Sequence, residues 1–231
     1  MNINTEIFKA YDIRGIYPDD LNQEMAYLVG KAYATLLKKE NPDQPLEIIV
    51  SRDMRPSSPE LKKGLIKGLT ETGIDVIDIG MQTTPTFYFA VAYYQYDGGI
   101  QITASHNPSE YNGLKMVKTK ANPLGAGTGM EELTQMVVDR DFEHSDSIGK
   151  VVTKEGILAD EVAAVLKDID QDQIKPFRVV VDAGNAVGAL DMKALFAQLP
   201  CELIPLYFEL DGTFPNNHPD PLKPENLADL K

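Results

Sequence analysis

The sequence predicts an α/β protein: a mixed, mostly parallel sheet with helices on both faces, in three α/β/α layers, followed by a second, incomplete domain of the same type. Three observations carry that prediction. Short runs rich in β-branched residues (46–50, 74–79 and 98–102) alternate with longer stretches of helical apolar period, as strands joined by crossover helices do. Two of those helices open on a hydroxyl residue followed by proline, Ser58-Pro59 and Thr84-Pro85, each soon after a strand. The alternation then resumes near Ile157, after a polar break.

In chain order, residues 8–15 read as a short strand entering a turn at Gly15. Residues 20–39 place Met25, Val29, Ala32 and Leu36 on one helical face, with Asp20 and Gln23 as a capping box and Pro42 as the stop. Strand 46–50 leads through Arg52-Asp53-Met54-Arg55 to a helix capped by Ser58, whose stripe is Leu61, Leu65 and Leu69. A strand end feeding a helix is where anions bind in α/β folds. Arg52 and Arg55 nevertheless read better as ion-pair partners of Asp53. Gly73 ends that helix, and strand 74–79 follows. The helix at Thr84-Pro85 carries Phe87, Val91 and Tyr94, and Asp97-Gly98-Gly99 turns into strand 98–102. Asn112-Gly113 is a turn signal before the alternating run 114–118. The glycine-rich stretch 125–129 fits neither a P-loop nor a dinucleotide fingerprint, so it reads as an approach to a helix over 130–138.

The polar stretch 139–149 is read as the break between domains, giving a first domain over 1–143 and a second over 155–231. The second begins with a helix over 159–170 and a strand over 177–182. The glycine turn from Ala183 to Gly188 either cradles a phosphate with its N–H groups or serves close packing. A helix to residue 199, a strand over 202–208, a turn-rich segment over 211–221 and a helix start at Pro224 complete it. Two strands make a poor core, so this domain is expected to be cut short.

Charge narrows the function. With 35 acidic and 22 basic residues the formal charge is −13, which repels nucleic acid and anionic membranes. No apolar stretch is long enough to span a bilayer, and the N-terminus lacks a signal pattern. Cys201 is the only cysteine, so the expected location is cytoplasmic. An anionic substrate would need local cations, and Arg14, Arg52, Arg55, Lys115 and Lys118 are the ones to follow.

The stretch that organises the rest is Thr103-Ala104-Ser105-His106-Asn107-Pro108. It displays Ser105 on a turn, with His106 and Asn107 beside it and Lys115 on the returning strand. Such a loop can present a hydroxyl, or a phosphate ester on it, to a substrate. The competing reading is a surface turn whose polar side chains bond their own backbone.

Five segments, in matching order and spacing, resemble the α-D-phosphohexomutase family, and within it the phosphomannomutase/phosphoglucomutase branch. They are Phe-Lys-Ala-Tyr-Asp-Ile-Arg-Gly (8–15), Arg-Asp-x-Arg-x-Ser (52–57), Thr-Ala-Ser-His-Asn-Pro followed by Asn-Gly-x-Lys (103–115), Val-Asp-Ala-Gly-Asn (181–185) and Asp-Gly-Thr-Phe-Pro-Asn (211–216). The resemblance implies an enzyme of carbohydrate metabolism that interconverts hexose 1-phosphate and hexose 6-phosphate. Mannose, glucose or both would be substrates, through a phosphoserine at Ser105 and a bisphosphate intermediate. It also implies one Mg2+ bound through the Ser105 phosphate, and hexose 1,6-bisphosphate as activator. Lys115 would assist proton transfer or phosphate contact, and Arg14 would approach the phosphoserine. His106 and Asn107 would hold the loop and line the site, and Tyr11 would contact the sugar.

The family's Asp-Gly-Asp-x-Asp-Arg metal loop does not occur in the sequence, and neither do its third and fourth domains. The expectation is therefore an N-terminal piece, its aspartate metal ligands outside the chain, with little turnover alone. The alternative is a phosphate-binding or interaction module of the same fold, and oligomeric state stays open. A serine hydrolase fits less well: Ser105 is not in a Gly-x-Ser-x-Gly elbow, and His106, adjacent in sequence, looks badly placed to act as its base.

Overall fold

Alternation along the central strands decides how the layers form. In strand β2 (Glu47–Arg52), Ile48 and Val50 point into one apolar core while Ile49 points into another, as a period of two requires of a strand buried on both faces. The computed structural model describes residues 3–42 and 44–231. Its other first-domain strands are β1 (Ile13–Ile16), β3 (Asp75–Met81), β4 (Gly98–Ile102), β5 (Tyr111–Lys118), the two-residue β6 (Asn122–Pro123) and β7 (Val151–Thr153). They form a seven-stranded sheet in the order β1-β5-β4-β2-β3-β7, with β6 alongside β5. The pairings of β4 with β2, β2 with β3 and β3 with β7 are parallel, whereas β5 runs antiparallel to its neighbours.

Helices α1 (Gln23–Glu40), α2 (Ser58–Glu71) and α4 (Met130–Asp139) cover one face. Helix α3 (Thr84–Tyr93) covers the other through Phe87, Ala90 and Val91, joined there by Ile157 at the start of α5 (Ile157–Leu166). The chain then forms the parallel pair β8 (Arg178–Asp182) and β9 (Glu202–Leu206), with α6 (Gly188–Phe196) between them. This unit buries few apolar side chains of its own, among them Ala189, Phe208 and Phe214.

Several local expectations are corrected. Residues 8–12 form a tight loop closed by the Lys9 N–H on the Asp12 carbonyl, so strand β1 starts only at Ile13. Gly15 lies inside that strand, where a Cβ would sit 2.7 Å from the Asp20 side chain. Asp20 does not cap α1, because its carboxylate already accepts the Ile16 N–H and the Asn4 amide; Asn22 caps it instead, accepting the Met25 N–H. Thr83 rather than Thr84 caps α3, and Ser57 occupies the cap position of α2. The Ser58 hydroxyl donates instead to Asp53. Asn112-Gly113 is not a turn but the interior of β5. The buried Asn112 amide donates to the Ser57 and Ser58 hydroxyls, and Gly113 faces the Ile13 and Thr103 carbonyls too closely for any side chain. The polar stretch leading from α4 returns to the sheet, where β7 adds an edge strand that the sequence did not reveal. The stretch at Pro224 is a short 3-10 turn, Pro224–Leu227.

Candidate active site

Strands β2, β3 and β4 run parallel and end on the same edge, the edge where open α/β sheets place their sites. Strand β4, buried along its whole length, delivers the chain there and releases it as the loop from Thr103 to Glu110. Within that loop Ser105 is exposed and has φ of 55°, a left-handed conformation costly for any residue with a Cβ. Its N–H donates to the Thr103 hydroxyl at 3.0 Å, and its Oγ lies 2.9 Å from His106 Nδ1. The adjacency argument against a Ser105–His106 contact is thereby corrected: the left-handed turn swings the two side chains together.

Under the loop lies Arg55, the largest fully buried side chain among the described residues. Its guanidinium donates to the Asp53 carboxylate and to the backbone carbonyls of Ser105, Asn107, Pro108 and Tyr111. Asp53 is buried too, and also accepts the Arg55 N–H and the Ser58 hydroxyl. Burial pulls the Arg55 guanidinium below its ordinary pKa, and the Asp53 charge opposes that pull. The sequence identified the Arg55–Asp53 partnership but missed the four carbonyls, and the ion pair expected of Arg52 is replaced by a hydrogen bond from its Nη1 to the Asp53 backbone carbonyl at 2.9 Å. Arg55 belongs to the loop's foundation.

Of the five cations to follow, two gather on Asp12, whereas Lys118 pairs with Glu40. Arg14 Nη2 lies 2.5 Å and Lys115 Nζ 3.2 Å from the same Asp12 oxygen, placed by the pairing of β1 with β5. The second branch of Arg14 donates to Asn107 Oδ1 at 2.6 Å, which ties this cluster to the serine loop two residues past Ser105. Two cations on one carboxylate leave a formal surplus of one positive charge. The Arg14 Nε–H is buried with no partner among the described residues, so the cluster retains a donor. Neither Arg14 nor Lys115 bonds Ser105 directly among the described residues. Tyr11 stands 82% exposed on the tight loop before β1, outside this cluster. The sequence offers a salt bridge from Arg14 to Asp12 or to Asp19, and the structure forms the first; that Lys115 shares it was not legible.

On its other side the serine loop borders a cleft of about 550 Å³ between the two domains. Asp53, Thr83, Gln101, Ser105 and His106 line it from the first domain; Asp182, Gly184, Asn217 and His218 line it from the second. Arg14 and Lys115 are not part of that lining. In the glycine turn after β8 the N–H groups of Gly184, Asn185 and Ala186 bond to Asp182, Tyr207 and Ala183, so a phosphate cradle there would have to use the N–H groups of Val187 and Gly188. At the wall of the cleft the Thr83 hydroxyl donates to Asp191 of α6 at 2.6 Å. Burial pushes that carboxyl up to about 6, and its other oxygen has no partner among the described residues. Among the described residues no group of three or more His, Cys, Asp or Glu side chains comes together in a way that could hold a metal ion. The Ser105 hydroxyl alone does not make a magnesium site, and these residues do not fit one. Among them, too, no helix is long and apolar enough to cross a membrane.

Residues 5–144 match the model of the phosphoglucomutase/phosphomannomutase α/β/α domain I, and residues 159–231 match that of domain II. A phosphomannomutase of Vibrio cholerae is 39% identical over 227 residues, covering 96% of this chain and 49% of that protein. A phosphomannomutase/phosphoglucomutase of Pseudomonas aeruginosa is 42% identical over 227 residues, covering 97% of this chain and 46% of its own length. The crystal structure of a phosphoglucomutase/phosphomannomutase family protein from Burkholderia thailandensis superposes with a TM-score of 0.88 at 37% identity, over 99% of this chain and 49% of that one. The chain thus spans about half the length of the curated relatives it matches. With both domain models matched in order, and with the three-layer fold shared, the chain belongs to the phosphoglucomutase/phosphomannomutase family.

Proposed function

We propose that Ser105 carries a transferable phosphoryl group, and that the chemistry built on it interconverts hexose 1-phosphate and hexose 6-phosphate of mannose, glucose or both. The observation that carries this reading is Ser105 itself: an exposed hydroxyl in a left-handed conformation, on a loop fixed from below by a buried arginine. Strain of that kind persists only where the surroundings over-determine it, and it clusters at functional sites. Phosphoryl transfer asks for positioning and charge neutralisation more than for covalent help.

In the forward half-reaction a sugar hydroxyl attacks the phosphorus, and its proton ends on the departing Ser105 Oγ by way of His106 Nδ1, 2.9 Å from that oxygen. The bond from Ser105 Oγ to phosphorus breaks, and the new ester makes a hexose 1,6-bisphosphate. After the bisphosphate turns round, Ser105 Oγ attacks the other phosphoryl group and regenerates the phosphoserine. In that return step the bond from the sugar oxygen to phosphorus breaks, and His106 Nδ1 passes the Ser105 hydroxyl proton to that departing oxygen. Arg14 and Lys115 supply positive charge on the Asn107 side, and Asp12 sets their spacing. Tyr11 is free to meet the sugar. Magnesium would need ligands beyond those described, so no step is assigned to it. The single cysteine agrees with a cytoplasmic setting.

The test is intact-mass analysis with peptide mapping after incubation with hexose 1,6-bisphosphate and Mg2+. The expected result is one phosphate on the peptide holding Ser105, absent in Ser105→Ala. Phosphate on another residue, or none, counts against the reading. Conversion of glucose 1-phosphate by this chain alone is expected to be slight, because most of the binding energy for a charged sugar has no visible source here. The Ser105–His106 contact also favours a serine hydrolase. However, no carboxylate orients His106 among the described residues, and a covalent serine inhibitor is expected to leave Ser105 unlabelled.

A further inference from the structure

The structure assigns Arg55 as the positioning residue of Ser105, and points to the turn from Asp211 to Phe214 in the second domain as the device that closes Arg55 under the loop. This regulation of the serine loop by domain docking rests on the reading of Ser105 as the phosphoryl carrier.

A guanidinium has five N–H donors, and here every one is engaged inside the protein. Nε donates to Asp53, Nη1 to the carbonyls of Pro108 and Tyr111, and Nη2 to those of Ser105 and Asn107. Nothing is left over for a ligand, which removes Arg55 from the list of phosphate forks. Its donors instead fix the carbonyls on both sides of His106, and therefore the direction in which the Ser105 hydroxyl points.

What keeps water from competing for those donors comes from the other domain. The Phe214 ring lies 5.0 Å from the guanidinium carbon, a cation–π distance, and Phe214 is itself buried. Gly212 lies against the Arg55 backbone so closely that a Cβ would sit 2.6 Å from Arg55 Cα and 2.8 Å from Pro56 Cδ. Phe214 takes φ of 54°, a conformation an aromatic residue adopts only under constraint. The constraint is local to the second domain: Phe214 N–H bonds the Asp211 carbonyl, and Asp211 N–H bonds the carbonyl of the buried Asn185. The motif over 211–216, left without a role by the sequence, is thus a rigid finger of one domain laid on the anchor of the other domain's loop.

Amide hydrogen exchange on the whole chain tests this. Asn107 and Tyr111 donate their N–H groups within the loop, to Ala104 and Pro108, and report its closure directly. Phe214→Ala and Gly212→Ala are expected to raise exchange at both amides by about tenfold or more, with the amides of helix α1 unchanged within about twofold. Phe214→Leu, which still excludes water, should restore most of the protection. A loop that stays as protected as wild type in both the Phe214→Ala and Gly212→Ala variants overturns the proposal. So does a rise that spreads evenly through α1, since that is general destabilisation. The uptake of phosphate from hexose 1,6-bisphosphate and Mg2+ is measured on the same samples. If wild type takes up none, the phosphoryl-carrier reading fails, while the exchange data still decide the clamp. If wild type does take it up, Phe214→Ala should slow the maximal rate and leave half-saturation unchanged, a split that lost binding does not produce.

Discussion

Replacing Ser105 by glycine is expected to cost little or no stability, and less than replacing it by alanine, while abolishing its proposed chemistry. At φ of 55° the serine Cβ presses on its own backbone, a strain worth about 1–2 kcal/mol for an L residue. Glycine removes that strain but gives the unfolded chain more freedom, which takes back about 0.5–1 kcal/mol. The hydrogen bond from Oγ to His106 is solvent-exposed, and its loss subtracts only about 0.5 kcal/mol. Ser105→Gly should therefore fall between a loss of about 0.5 kcal/mol and a gain of about 1 kcal/mol. Ser105→Ala keeps the strain and loses the same hydrogen bond, so it should be the less stable of the two by about 1 kcal/mol. For a chain of this size that difference separates the melting points by about 2–4 °C. Differential scanning calorimetry is the assay, read on the transition of the first domain because two domains need not melt together. Neither variant should take up phosphate. An alanine variant equal to or more stable than the glycine variant would refute the strain argument, and with it the claim that the serine is held against stability for function.

Asp191→Asn should flatten a pH dependence. With the folded carboxyl at about 6 against an ordinary 3.8, the gap corresponds to about 3 kcal/mol at most, discounted to about 1 because the side chain keeps some contact with water. The folded state then binds the extra proton between those values, so wild-type stability should rise relative to Asp191→Asn as pH falls from about 7 to about 4, and parallel melting curves would reject this. Asn112→Ala removes a buried amide serving two hydroxyls and leaves Ser57 and Ser58 poorly satisfied; urea titration should show a loss of about 2–4 kcal/mol. Asp12→Ala leaves Arg14 and Lys115 facing each other without their shared carboxylate, which should cost about 1–3 kcal/mol at low salt and less at high salt, measured by the same titration.

What the sequence could and could not show follows from the range of the forces involved. The alternation of Ile48, Ile49 and Val50 announces a strand buried on both faces because the rule is local, a period of two along one chain segment. The serine loop is legible for a similar reason: strand, polar turn and returning strand are contiguous. Asn112-Gly113 misleads because its local chemistry suits a turn, whereas its role is set by Ser57 and Ser58, more than fifty residues away in sequence. The caps of α2 and α3 slip by one residue because Ser57-Ser58 and Thr83-Thr84 each offer two hydroxyls. Asp53 decides the first case by engaging Ser58.

Arg55 marks where reading a sequence stops. Beside Asp53 in a linear sequence it is an ordinary ion pair, of the kind worth little at a surface. Fully burying a guanidinium is costly unless each donor finds an acceptor, and four of the five acceptors are carbonyls of a loop some fifty residues later. Those carbonyls converge only when Ser105 has already turned left-handed, and that turn persists only while the carbonyls are held. Burial of the arginine and strain at the serine therefore form one cooperative event, with neither half stable alone. That is why a single aromatic ring from the second domain, by keeping water from the guanidinium, has leverage over the one hydroxyl on which the proposed chemistry depends.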